Sequence, residues 1–182
     1  MSYSGSGNGG GWNQGGGPDY RHAFDPYSEP ELFRSVLTRR VIAFIIDLFI
    51  LAVPIALAVI FIAVFGLVTL GLGWALFWLV SPASIVWVLI YYGASLGGPH
   101  SASIGMRMMD LEMRTWYGAP CYFLLGAIHP VLFWISISIF SPLVLLIGPF
   151  NARKRLLHDF VLGTVVINNS VRAPLAQSAR TI

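Results

Sequence analysis

Between Val41 and Pro99 the chain carries one formally charged side chain, Asp47, and between Thr115 and Ala152 it carries none. Uninterrupted apolar stretches of this length have few physical outcomes. About 20 apolar residues suffice for a helix to cross the hydrocarbon core of a bilayer. The first block is long enough for two such helices and the second for one and part of another. Across the 182 residues, 56% are hydrophobic and 10% charged, against about 25% charged in soluble domains. So few charges cannot cover a water-exposed surface, so the apolar surplus faces lipid. The fold class expected is an all-α membrane protein: a helical bundle of two full spans plus a second hairpin or re-entrant pair, giving three to four membrane helices, with a short cytoplasmic β-pair.

The first block breaks naturally at Gly66–Gly73, where three glycines fall close together. This predicts helices over 38–65 and 74–95, with Pro54 and Pro82 inside them. Trp74, Trp78, Tyr91 and Tyr92 stand near the ends of the second helix, as an interfacial aromatic belt would. The second block, broken by prolines, predicts a helix over 121–139 and a shorter one over 141–150, separated at Ser141–Pro142. Between the blocks, Met109, Leu111 and Met113 alternate with Asp110, Glu112 and Arg114, a period of two that suggests a short half-buried strand. Gly163–Asn168 reads as another.

Three parts make up the expected organisation: a disordered Gly-rich tail over 1–32, a transmembrane domain over 33–168 and a flexible C-terminal tail over 169–182. The opening MSYSGSGNGGG has no apolar stretch of the kind a cleavable signal peptide needs. Ser28 to Arg39 can form an amphipathic surface helix, with Ser28 and Glu31 as a capping box.

Net charge is +3, but the basic residues are scattered between apolar blocks, which suits membrane topology and not a nucleic-acid partner. Arg34, Arg39 and Arg40 precede the first block, Arg107 and Arg114 separate the blocks, and Arg153, Lys154 and Arg155 follow the second. Basic residues accumulate on the cytoplasmic side. An even number of passes per block places all three clusters, and both termini, in the cytoplasm. A three-span arrangement with Arg153–Arg155 outside stays open. Arg153, Lys154 and Arg155 are the natural contacts for anionic lipid.

Among residues that could carry chemistry, Asp47 stands out. A carboxylate at the centre of a spanning helix costs about 2.5–3.5 kcal/mol on insertion scales, so something must offset it. Arg40, two turns earlier, lies on the same helix face. Asp47 is either a buried site for a cation or proton or a packing device hydrogen-bonded to another helix; the two readings stand level. His129 reads as a hydrogen-bonded residue near the interface, and Cys121 as a small buried hydrophobe. Asp159 follows Arg155 by four residues, a spacing that allows an ion pair. By spacing, His158–Asp159 is neither a metal site nor a triad. No catalytic constellation, cofactor motif or metal-ligand pattern is visible, so neither an enzyme nor a cofactor is expected.

RRVIAFIIDLFIL (Arg39–Leu51), SASIGMRMMDLEMRT (Ser101–Thr115) and RKRLLHDFVLGTVVI (Arg153–Ile167) together resemble the RDD family of bacterial membrane proteins. Arg40 and Asp47 match the family's arginine and aspartate of the first helix, and Asp159 matches its second aspartate. Met106 stands where the family has Lys, and Asp110 where it has Gly. The resemblance covers about residues 33–168. It implies a multi-pass inner-membrane domain, with transport suggested for some members, and brings Arg40 and Asp159 to one membrane face, where they can form a salt bridge. Two functions follow as expectations. One is transport of ions or small solutes, as an oligomer if a single protomer has too few helices for a pathway. The other is a non-transporting membrane scaffold or assembly factor.

Overall fold

The computed structural model describes residues 23–140 and 147–178. The Gly-rich segment 1–22, the break expected at Ser141–Pro142 and the last four residues lie outside them. Helix α1 runs Val36–Val68 without interruption through Pro54. A 3-10 turn, Leu72–Leu76, leads into α2, Phe77–Leu96. The hairpin between them closes on Trp74, whose indole N–H donates to the Ala63 carbonyl at 3.2 Å. Its ring lies so close to Gly66 that a Cβ there would overlap it. Helix α4, Phe123–Phe140, packs on α2. Glycines make that approach possible: a Cβ on Gly97 would come within 2.4 Å of the Phe123 backbone, and one on Gly126 within 2.8 Å of the Tyr92 carbonyl.

These helices wear their apolar side chains outward. In the most apolar stretches of α1 and α2, only 11% and 6% of residues are buried. Phe49, Phe61, Trp78 and Ile85 are all more than half exposed. A core helix of a water-soluble protein is mostly covered; a helix solvated by hydrocarbon need not be. The molecule is a membrane protein by this criterion, with two helices long and apolar enough to cross and a shorter apolar one in α4.

The tightly packed core sits at one end of the helices, around a small sheet. Strand β1 (Leu111–Thr115) pairs antiparallel with β2 (Thr164–Asn168), Leu111 opposite Asn168 and Thr115 opposite Thr164. Leu111, Met113 and Val166 pack with Val36, Ala43, Leu96 and Met106 on one face, while Val165 and Ile167 pack with Leu32 and Phe33 on the other. Covered on both faces, β2 is buried along its whole length. Because β1 precedes the second apolar block and β2 follows it, both ends of that block lie at the same end of the molecule.

Several expected boundaries shift. The segment before α1 is not an amphipathic helix over 28–39 but a 3-10 turn, Pro30–Phe33, and the Ser28 hydroxyl donates to the Asp25 carbonyl instead of capping. Within the expected tail 1–32, the residues from Ala23 onward dock: the Ala23 N–H donates to the Trp116 carbonyl, and Leu32 is buried against β2. The expected flexible tail 169–182 is helical over Asn169–Ser178 (α7). Val171 joins the Leu32–Phe33 cluster and Arg172 pairs with Glu112, contacts that no local pattern announces. Three short helices complete the described residues: α3 (Ile104–Met108), α5 (Ile147–Phe150) and α6 (Leu157–Leu162).

Candidate functional site

Asp47 lies 11 positions into α1, about 16 Å along the axis at about 1.5 Å per residue, and is 2% exposed. Its carboxylate is held by three donors. Oδ1 accepts the Tyr91 hydroxyl of α2 at 2.6 Å and the Gly105 N–H of α3 at 2.8 Å. Oδ2 accepts the Ser103 hydroxyl at 2.5 Å. Ser103 Oγ in turn accepts the Met106 N–H, capping α3, and Tyr91 Oη accepts the Ile104 N–H. The backbone of α3 reaches this carboxylate because residue 105 is glycine: a Cβ would lie 2.1 Å from the Ala43 carbonyl oxygen. None of the three donors is charged. Arg40, placed by spacing on the same helix face as Asp47, serves a different carboxylate.

That carboxylate is Asp159, at the start of α6 and fully buried. Arg40 grips it with both terminal nitrogens, Nη1 to Oδ2 at 2.6 Å and Nη2 to Oδ1 at 2.9 Å. Paired forks of this kind are the strong form of ion pair. Oδ2 also accepts the Leu156 N–H, closing the first turn of α6, and Oδ1 is 3.1 Å from His129 Nε2 of α4. The group therefore ties α1, α4 and α6 together. Burial alone would push the Asp159 carboxyl up, but the Arg40 charge and the hydrogen bonds from His129 and Arg40 outweigh it and hold it well below its ordinary value. The neighbouring His158 is 1% exposed, and burial, opposed only in part by Asp159, pushes its imidazole down to about 3, so it is neutral.

Arg155 departs from both roles expected of it. It is 3% exposed, and its guanidinium donates to the Thr164 and Asp159 carbonyl oxygens at 2.9 and 2.7 Å, not to a carboxylate or to lipid. It lies between the rings of Trp116 and Phe160, 4.0 and 4.2 Å from their centroids, a favourable seat for a buried cation. Burial, together with the neighbouring arginines, lowers it to about 10 against the pull of Asp159, so it stays charged near neutrality. Of the basic trio, Arg153 donates to the Phe24 carbonyl and Lys154 to that of Pro149. Cys121 is the small buried residue expected, with Sγ 3.4 Å from the Met113 carbonyl.

The structure thus brings Arg40 and Asp159 into direct contact and gives Asp47 a pocket of its own. Sequence reasoning missed Tyr91, Ser103, Gly105 and His158 as members. Tyr91 was legible only as part of an aromatic belt, and His129 stands 30 positions from the aspartate it touches. Compared with known protein families, residues 34–163 match the RDD family. No curated protein and no solved structure matches the chain.

Proposed function

The chain belongs to the RDD family, and on that premise we propose that it is a multi-pass protein of the bacterial inner membrane that moves ions or small solutes. Asp47 serves as the cation or proton position, with Arg40 and Asp159 tuning it. One observation carries this reading: Asp47 is a fully buried carboxylate on the long apolar helix α1, bonded only by uncharged donors. A carboxylate without a basic partner can exchange its proton for a cation with no salt bridge to break. Both termini are proposed to lie in the cytoplasm, since Arg39, Arg107 and Arg153 gather beside the sheet end. Anionic lipid contact narrows to Arg153 and Lys154, and two copies could line a pathway that one protomer is too small to enclose. No catalytic step is proposed.

The rival reading is a membrane scaffold. It is favoured by the completeness of the Asp47 pocket, where each oxygen already has a donor from another element. Reconstitution into liposomes separates the two. A pH-sensitive dye reports proton flux driven by gradients of sodium, potassium, lithium or divalent cations. Flux in the wild type that Asp47→Asn abolishes, while the variant keeps its helical content, supports transport. A wild type silent over the whole panel favours the scaffold.

A further inference from the structure

We propose that His129, His158 and Asp159 form a binding site for a first-row transition-metal dication of the zinc class. One ring nitrogen from each histidine and a carboxylate oxygen lie within 4.8 Å of one another. His129 Nε2 is 3.1 Å and His158 Nε2 3.6 Å from Asp159 Oδ1. Ligand atoms about 2.0–2.1 Å from a tetrahedral ion stand about 3.4 Å apart. The two spacings to Asp159 bracket that edge; the trio's widest separation, 4.8 Å, is the one between the imidazoles, so one ring must swing inward for a metal to be seated. Two imidazoles and one carboxylate match zinc, cobalt or nickel rather than calcium or magnesium, which take oxygen ligands.

A second observation points the same way. His158 is 1% exposed, and its Nδ1 has no hydrogen-bond partner among the described residues. Its Nε2 stands beyond hydrogen-bond length from Asp159. Among the described residues no bond of ordinary hydrogen-bond length holds Nε2, the nitrogen that faces Asp159, so it is available to an ion; coordination there leaves Nδ1 unpaired. The ring is held edge-on to those of His129 and Phe133, at 4.7 and 5.3 Å between centroids, which fixes its plane. His129 keeps 13% of its side chain exposed, leaving a way in.

Arg40 shapes the affinity. A metal on Oδ1 displaces the Arg40 Nη2 bond, while Oδ2 keeps Arg40 Nη1 and the Leu156 N–H. The guanidinium then orients the carboxylate from behind and, being positive, weakens the ion's hold. Three protein ligands leave a fourth position open, as in sites that exchange what they bind. That the ion is cargo rests on the transport reading; that it binds does not.

Cobalt(II) added to the purified full-length protein in detergent tests this. The expected result is saturable binding of about one ion per protomer, with the visible ligand-field bands of a tetrahedral site, displaced by zinc. His129→Ala should weaken binding by at least about tenfold, His100→Ala should leave it unchanged, and Arg40→Gln should strengthen it. Should His129→Ala fail to fold, zinc protection of wild-type His129 from diethyl pyrocarbonate, with His100 unprotected, gives the same answer without a substitution. Absence of saturable binding, or binding indifferent to His129 by both readouts, overturns the site. Asp47→Asn should still bind cobalt(II), so loss of flux and loss of metal are separable results.

Discussion

Removing one oxygen of Asp47 should loosen the joint between α1, α2 and α3 by an amount the geometry bounds. In Asp47→Asn, an amide group replaces one carboxylate oxygen with nearly the same volume. If it faces Ser103, the hydroxyl proton loses its acceptor, because an amide NH2 group only donates. If it faces the other way, both Tyr91 and Gly105 lose theirs. The first costs less. Hydrogen bonds to charged groups contribute about 1.5–3 kcal/mol in water-soluble proteins and neutral ones about 0.5–1.5. Side-chain bonds measured inside membranes average about 0.6 kcal/mol. One bond lost and two weakened therefore cost about 2–4 kcal/mol. Tyr91→Phe deletes one of the three and should cost about 1–2 kcal/mol. Because both changes strike the same bond, the double variant should fall short of their sum by about 1 kcal/mol or more. Reversible unfolding in mixed detergent micelles, followed by tryptophan fluorescence, measures all four corners of the cycle. Additive effects, or an Asp47→Asn variant within about 0.5 kcal/mol of wild type, would refute the view that this carboxylate locks the helices.

Other outcomes follow from single positions. Gly105→Ala places a methyl on the Ala43 carbonyl, so it should cost about 2–4 kcal/mol and release the Asp47 contact, seen as a lower unfolding midpoint. Asp110→Gly should do the reverse, raising stability by about 0.5–1 kcal/mol in the same assay, because Asp110 sits at φ 55, a left-handed conformation natural to glycine. The Cys121 thiol is buried and pushed up to about 12 by that burial, eased by Arg114. It should resist maleimide at pH 8 in the folded protein and react on unfolding. Between about pH 8.5, where an unfolded thiol ionises, and about 12, only the unfolded state loses this proton. Wild type should therefore lose stability relative to Cys121→Ser as pH rises through that window.

Long uncharged runs and the one carboxylate within them settle the class of this protein, because hydrocarbon solvation depends on composition and not on which residues meet. Period-two alternation and the Gly–Thr–Val–Val stretch located both strands to within two residues, since a strand's pattern is local. What no stretch of sequence could say is which side chain answers which. Arg40 and Asp47 share a helix face, yet Arg40 closes on Asp159 at 2.6 Å, 119 positions away, and Asp47 on Tyr91, Ser103 and Gly105. Arg155, basic and beside the membrane, turns inward between two rings. The C-terminal residues fold because Arg172 and Val171 find partners already assembled by the sheet. Solvent preference is written residue by residue; pairing is decided only when the β1–β2 contact gathers three distant segments, and a buried charge then takes the partner that geometry leaves within reach.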